Sequence, residues 1–263
     1  MIKEGYLLDN AWTRARERLG LLETSLDPGS IRHLEKLGVD EGWHCLDVGA
    51  GGGSISEWLC RKVGARGRVL ATDVDTRFLD ALDYPNLEVL RHDVTMEALP
   101  ERAFDLVYAR TVLTHLAGRD VALRRMAAAL KPGGKLLVEE ADFVSWVADP
   151  RFQGAALYGE GWAAALRVFS AGGADFHYAR RLYGDVSAAG LVDVDAEGRV
   201  LVMRAGTPLA RFWQLTFAQL RDRIADAGLL TNDRMDQFLA LHDAKDFVWL
   251  NNIIMAVWGL APE

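Results

Sequence analysis

The stretch LDVGAGGGS, residues Leu46–Ser54, holds four glycines in nine residues and follows directly on apolar sequence. Glycine is costly in regular structure and useful where the backbone turns sharply or approaches a ligand closely. The residues before the bend (43–49) predict a short buried strand, and those from Ser54 onward predict a helix. Open α/β sheets bind ligands at such bends, beyond the carboxyl ends of their strands. We therefore expect the bend to be a ligand site.

Strands and helices alternate along most of the chain. Before the bend, residues 13–26 predict one helix, and Asp27-Pro28 predicts the start of a second that ends at Gly38. Further strands are predicted at 67–73, 87–93, 103–110, 135–140, 199–204 and 247–260. Alternation of this kind indicates an α/β fold with a largely parallel sheet and helices on both faces.

The composition disfavours several classes of binding partner before any motif is considered. The chain has 263 residues, a formal net charge of −7 and a pI of about 5.4. An acidic chain is poorly suited to grip phosphate backbones, so nucleic acid is disfavoured as a partner. Neither a signal peptide nor an apolar run of membrane-spanning length is recognised. The two cysteines, Cys45 and Cys60, lack metal-binding spacing. We expect a cytoplasmic protein without a metal site or a membrane contact.

The spacing of the glycines separates two classes of cofactor. Dinucleotides prefer G-x-G-x-x-G, and here the last glycine of that pattern is missing, whether it is counted from Gly49 or from Gly51. Asp47 instead lies two residues before Gly49. The order Asp-x-Gly-x-Gly-x-Gly, residues 47–53, resembles the first motif of the class I S-adenosylmethionine-dependent methyltransferases.

Four further landmarks follow in the order of that family. They are Asp73 in LATDVD, Asp93 in RHDV, the strand FDLVYAR (104–110) and the segment LKPGGKLLVEE (130–140). Five landmarks in order, across residues 45–140, make the resemblance specific. It implies a Rossmann-like sheet of seven mostly parallel strands, the last antiparallel, with helices on both faces. We expect a single domain over 1–263, with an N-terminal helical lid at 1–40 and insertions at 143–177 and 205–245 that select the methyl acceptor.

The resemblance also implies which residues bind S-adenosylmethionine and its product S-adenosylhomocysteine. Asp47 would face the ammonium of the methionine end, Asp73 both ribose hydroxyls, and Asp93 the adenine amino group. The full set of expected cofactor-binding residues is Tyr6, Asp47, Gly49, Ala50, Gly51, Asp73, Val74, Asp93, Val94, Ala109 and Arg110. For Arg110 an ion pair within the protein is an open alternative, and Tyr6 would close the site from the lid.

Two residues are candidates for acid–base work. An oxygen acceptor needs its proton removed, and His115 in RTVLTHL follows the fourth strand near the expected site. Glu140 ends the fifth strand and would orient or deprotonate alongside it. For both residues a structural role, in packing or at a solvated strand end, stays open.

The acceptor is inferred from what surrounds these motifs. No Asn/Asp-Pro-Pro-Tyr follows the fourth strand, which disfavours methylation of exocyclic base amines in this family. The insertions are rich in aromatic residues, which suits a small aromatic or hydrophobic metabolite. We expect transfer to its hydroxyl. Transfer to nitrogen or carbon, a nicotinamide-dependent oxidoreductase and a non-catalytic adenosylmethionine-binding protein are the alternatives. An exposed apolar lid surface would favour a homodimer.

Overall fold

The computed structural model describes residues 7–263, and the chain divides into two compact units. The sheet unit comprises Leu26–Ala141, His177–Gly198 and Ile254–Glu263. The helical unit comprises Met1–Ser25, Asp142–Phe176 and Arg199–Ile253. The two predicted insertions at 143–177 and 205–245 fall almost entirely in the helical unit. Tyr6 lies outside the described residues.

The strands form one sheet of mostly parallel strands. Their bounds are β1 His44–Val48, β2 Arg68–Asp73, β3 Leu87–Arg91, β4 Phe104–Arg110, β5 Leu130–Asp142, β6 Val147–Ala148, β7 Val192–Arg204 and β8 Val248–Leu260. The order is β3-β2-β1-β4-β5-β8-β6, with β7 also paired to β8. Paired hydrogen bonds of Gly133 and Gly134 with Ala261, 3.0 and 2.8 Å, join the start of β5 to the residue after β8 in antiparallel fashion. The predicted fold class is confirmed; the two-residue β6 adds one strand to the expected seven.

One of the helices, the first in the chain, is longer than the sequence predicts. Their bounds are α1 Ala15–Lys36, α2 Ser54–Val63, α3 Arg119–Ala128, α4 Ala155–Ala171, α5 Ala179–Ala188, α6 Pro208–Gln219, α7 Arg221–Asp226 and α8 Asn232–Ala240. The predicted break at Asp27-Pro28 is wrong, because α1 continues through Pro28. Asp27 does not cap a helix; its carboxylate pairs with Arg110.

Both faces of the sheet are buried, as the apolar strands require. Successive residues of β4 alternate between two clusters: Leu106 and Tyr108 join one, and Val107 and Ala109 join the other. The first cluster includes apolar residues of α1 and α2, and the second includes residues of α3 and α5. Because both faces are covered, the open positions of the sheet unit are the ends of its strands.

The strand register determines where the site residues meet. Strand order reverses between β1 and β4, which is where ligands bind in open α/β sheets. Val48 pairs with Thr72 on β2 and with Ala109 on β4. Gly49, Asp73 and Arg110 each come one residue later, so they meet at the carboxyl edge of the sheet.

Candidate active site

The glycine bend is fixed to the neighbouring strand by backbone hydrogen bonds. The N–H groups of Gly49 and Ala50 both donate to the carbonyl of Thr72, at 2.8 and 3.0 Å. Gly49, Gly51 and Gly53 have φ values of 67°, 59° and 88°, in the left-handed region that side chains disfavour. For these three of the four glycines, the lack of a side chain is therefore first of all a requirement of this backbone path.

Close packing adds a second reason for two of these glycines. A Cβ on Gly49 would lie 2.4 Å from Cγ2 of Val112, and one on Gly53 would lie 2.6 Å from Cδ1 of Leu82. Gly51 is held differently, since its N–H donates to Oδ2 of Asp73 at 3.0 Å. The middle of the bend is thus tied to the acidic residue that ends β2.

Asp73 connects the bend to the loop after β2. Its Oδ1 accepts the N–H of Asp75 at 3.0 Å, while Oδ2 accepts that of Gly51. Burial raises the pKa of Asp73 above its ordinary value, although these N–H donors oppose the shift. Val74 follows with 49% of its surface exposed, an apolar side chain open to solvent beside the carboxylate.

Asp93 lies further along the same edge, two residues after β3. Its Oδ1 accepts the N–H and the hydroxyl of Thr95, at 2.8 and 2.6 Å. The Thr95 hydroxyl contributes most to a lowered pKa for Asp93. Val94 is buried, and its carbonyl accepts a hydrogen bond from Arg125 at 2.8 Å. The structure links neither residue to the glycine bend, so their cofactor roles stay predictions.

Asp47 lies inside the protein, under the bend. It is 2% exposed, and its Oδ2 accepts the hydroxyl of Ser56 at 2.6 Å. Burial raises its pKa to about 6, although the Ser56 hydroxyl and the charge of Arg110 act in the opposite direction. The folded protein therefore keeps a proton on Asp47 that the unfolded chain releases near pH 4.

This raised pKa predicts that Asp47 weakens the fold as the pH rises. Between about pH 4 and pH 6 the folded state binds more protons than the unfolded state, so unfolding free energy falls with pH. Asp47→Asn removes the ionisation and can still accept the Ser56 hydroxyl. We expect the variant to gain about 3 kcal/mol relative to wild type between pH 4 and pH 7. Urea unfolding at both pH values measures this gain, and a pH-independent difference would contradict the burial argument.

Arg110 is engaged within the protein. Its Nη1 lies 2.9 Å from Oδ1 of Asp27 and 2.9 Å from Oγ of Ser30, both on α1. Asp27 also accepts the hydroxyl of Ser54, at the start of α2, at 3.1 Å. The ion-pair alternative for Arg110 is therefore what the structure shows. Its guanidinium joins α1 to the carboxyl edge of the sheet.

A buried carboxylate that the sequence did not single out lies next to this pair. Glu139 is 2% exposed and accepts hydrogen bonds from Nδ1 of His33 and the hydroxyl of Tyr108, each at 2.8 Å, and from the hydroxyl of Ser30. Burial opposes its ionisation, but the His33 hydrogen bond and the charge of Arg110 hold its pKa below the ordinary value. The helix and two central strands thus share one polar network.

Glu140 points the other way from Glu139, because successive strand residues face opposite sides. Its carboxylate is fully buried and accepts the backbone N–H groups of Val112, Leu113 and Thr114 at 2.9, 2.7 and 3.2 Å. Burial raises its pKa, against the effect of these donors. The contacts fix the short 3-10 helix Leu113–His115 and do not by themselves test a catalytic role.

His115 is the last residue of that 3-10 helix. It is half-buried, and its backbone N–H donates to the carbonyl of Val112 at 3.0 Å. The helix follows β4 at the carboxyl edge of the sheet, in the region where the sequence placed a base. Its catalytic role stays a prediction.

Metal-binding clusters and membrane-spanning helices are both absent from residues 7–263. No group of three or more His, Cys, Asp or Glu side chains is placed to hold a metal ion. No helix among these residues is long and apolar enough to cross a membrane.

Comparison with known proteins shows what residues 46–138 and the fold of the chain are similar to. Residues 46–138 match the family model described as a methyltransferase domain. The YcgJ protein of Bacillus subtilis shares the fold, with a TM-score of 0.59 and 14% identity over 89% of this chain and 99% of that one. Phosphoethanolamine N-methyltransferase 2 of Haemonchus contortus has a TM-score of 0.54 and 17% identity over 94% of this chain and 52% of that one. These matches confirm the resemblance to the class I S-adenosylmethionine-dependent methyltransferases.

A curated relative is similar in sequence over part of its length. The ubiquinone/menaquinone biosynthesis C-methyltransferase UbiE of Hahella chejuensis is 32% identical over 115 residues, which are 41% of this chain and 46% of the relative. The chain therefore spans about half the length of the curated relatives that it matches.

Proposed function

We propose that the chain transfers a methyl group from S-adenosylmethionine to a hydroxyl of a small aromatic or hydrophobic molecule. The register of β1, β2 and β4 supports this most directly, because it gathers the glycine bend, Asp73 and Ala109 at the point where strand order reverses. The Haemonchus neighbour is a complex with S-adenosylhomocysteine. The acidic net charge of −7 favours a small molecule over nucleic acid as the acceptor.

The residues at this edge fit the proposed cofactor. Gly51 leaves the backbone of the bend free of a side chain, and Asp73 offers a carboxylate for the ribose hydroxyls. The exposed Val74 suits the adenine ring, and Asp93 its amino group. Asp47 offers its charge to the ammonium from below. We propose that Ala109 and Arg110 contribute backbone atoms, since the Arg110 guanidinium pairs with Asp27.

The cofactor, when bound, supplies a methyl group on a positively charged sulfur. The protein then has to align the acceptor and remove its proton. We assign the base to His115. We assign Glu140 a positioning role, because it holds the backbone of the turn on which His115 sits.

Transfer to carbon is the second candidate, because the Hahella relative is named a C-methyltransferase. Formation of S-adenosylhomocysteine across a panel of phenols, catechols, amines and quinols distinguishes the acceptor atoms. Calorimetric titration with S-adenosylmethionine and with NAD separates methyl transfer from nicotinamide chemistry. Binding of NAD alone would refute the proposal, and cofactor binding without turnover on any acceptor would favour a non-catalytic role.

His115→Ala tests the assignment of the base. For a hydroxyl acceptor we expect kcat to fall by about 100-fold or more, with the affinity for S-adenosylmethionine unchanged. An amine acceptor needs little base help and should keep its rate. The exposed His177 gives the matched control, His177→Ala, which should be silent. A near-normal rate on the hydroxyl acceptor in His115→Ala would exclude His115 as the base.

A further inference from the structure

Four aromatic rings of the helical unit form a cluster in which every pair is in contact. Phe143, Trp146, Trp162 and Trp213 have ring centroids between 4.4 and 5.9 Å apart. We call them the four-ring cluster. Phe212 adjoins it, with its centroid 5.1 Å from that of Trp213.

A buried arginine lies against this aromatic group. Arg18, on α1, is 1% exposed, and its guanidinium carbon is 5.9 Å from the centroid of the Phe212 ring. Within residues 7–263, its Nε and Nη2 atoms are shielded from solvent and have no hydrogen-bond partner. A buried charge is strongly unfavourable unless it is paired and hydrogen-bonded. An anion that forms hydrogen bonds with the Arg18 guanidinium would therefore be stabilising.

The carboxylates nearest to it along α1 are already engaged. Glu17 pairs with Arg14 at 2.9 Å and lies 3.6 Å from Nε of Arg211. Glu23 pairs with Arg16 at 3.1 Å. Within residues 7–263, no carboxylate forms a hydrogen bond with the shielded Nε and Nη2 atoms of Arg18.

The helical unit holds further buried polar atoms that have no partner among the described residues. Nine of the twelve buried side-chain atoms without a hydrogen-bond partner in the described residues belong to the helical unit. Donors prevail among them, since the indole N–H groups of Trp146 and Trp249 accompany the guanidinium atoms of Arg18. Unpaired buried donors require acceptors, and the Trp146 indole within the four-ring cluster adds one such donor to those of Arg18.

We propose that the helical unit binds an organic anion with an aromatic body, and that Arg18 receives its carboxylate. The planar guanidinium matches a carboxylate with two parallel hydrogen bonds, which the free Nε and Nη2 atoms can form together. Phe212 and the four-ring cluster offer apolar and stacking surface to the body of the ligand. The inference goes beyond the proposed function, because it assigns a carboxylate to the bound molecule and a role to Arg18. Its test needs neither the cofactor nor methyl transfer.

Binding of 2-naphthoate, measured by thermal shift and by tryptophan fluorescence, tests the proposal. We expect saturable binding of 2-naphthoate, and weaker binding by roughly 10- to 100-fold for the neutral 2-naphthamide and for inorganic phosphate. The Arg18→Met variant should bind 2-naphthoate no more tightly than it binds 2-naphthamide. Arg16→Met, on the exposed side of the same helix, should bind it normally. Equal binding of acid and amide, binding of phosphate as tight as that of the acid, or no binding would overturn the proposal.

The stability without ligand separates binding from a structural role. If Arg18 is an unpaired buried charge, Arg18→Met should raise Tm in the absence of anions and abolish the rise caused by 2-naphthoate. A lower Tm in Arg18→Met would show that the arginine is paired within the chain and would overturn the proposal. Glu4 belongs to the segment outside the described residues, and the Glu4→Gln variant tests whether it is an ion-pair partner of Arg18. We expect this variant to leave Tm and the binding of 2-naphthoate unchanged. A matching loss of stability in Glu4→Gln would likewise overturn it.

Discussion

Asp73→Ala is expected to weaken the binding of S-adenosylhomocysteine by at least about 100-fold. A hydrogen bond to a charged group contributes about 1.5–3 kcal/mol, and we propose two such bonds from Asp73 to the ribose. The carboxylate also accepts the N–H of Gly51 at 3.0 Å, so its loss would loosen the bend that faces the same ligand. Calorimetric titration of wild type and variant measures the change. Asp80→Ala, an exposed aspartate on the following segment, is the control that should bind normally.

The two effects of Asp73 can be separated with a modified ligand. A 2′-deoxy form of S-adenosylhomocysteine lacks one of the hydroxyls that we assign to Asp73. It should bind wild type more weakly than the parent, while Asp73→Ala should hardly distinguish the two ligands. If the variant discriminates between them as strongly as wild type does, Asp73 acts on the bend and not on the ribose. Unchanged affinity in Asp73→Ala would remove this residue from the site altogether.

The contacts of Asp73 also show what the sequence could reveal. A glycine bend after a strand, and an acidic residue ending the next strand, can both be recognised from local pattern. Parallel pairing then brings the two together, because all the strands end at one edge. Local sequence and one topological rule therefore sufficed to predict that the bend and Asp73 meet.

The two adjacent glutamates near the end of β5 show where local pattern fails. Both Glu139 and Glu140 belong to a buried run, and alternation places them on opposite faces without telling which face carries the site. The partners of Glu139 come from Tyr108 on β4 and from α1, more than a hundred residues earlier in the chain for His33 and Ser30. A contact of that range has no signature in the sequence around either residue.

The predicted helix start at Asp27 is wrong for a related reason. Asp-Pro is a good local signal for a helix start, and the sequence offered no competing explanation. In the structure the helix continues, and Asp27 instead meets Arg110 and Ser54. A tertiary ion pair replaced the local capping interaction, and this outcome depends on strands that follow much later in the chain.

Glu139→Ala is expected to lower the free energy of unfolding by about 3–5 kcal/mol. Removing one partner of a buried charged network leaves the others uncompensated, and here the hydrogen bonds of His33, Ser30 and Tyr108 are lost together. Arg110 would also lose the nearby charge of Glu139, although it keeps its ion pair with Asp27 and its hydrogen bond to Ser30. Urea unfolding followed by circular dichroism measures the loss. Glu88→Ala, an exposed glutamate on β3, should change stability very little.

The pH dependence of Glu139→Gln tests whether the charge itself matters. The folded-state pKa of Glu139 lies below its ordinary value of 4.5, so its ionisation stabilises the fold above that pH. That contribution is lost as the pH falls through the folded-state value, where wild-type Glu139 takes up a proton. The stability difference between wild type and Glu139→Gln should therefore be large at pH 7 and shrink below pH 4.5. A difference that stays constant over this range would mean that Glu139 contributes shape and hydrogen bonds but no charge to the network that holds α1 against the sheet.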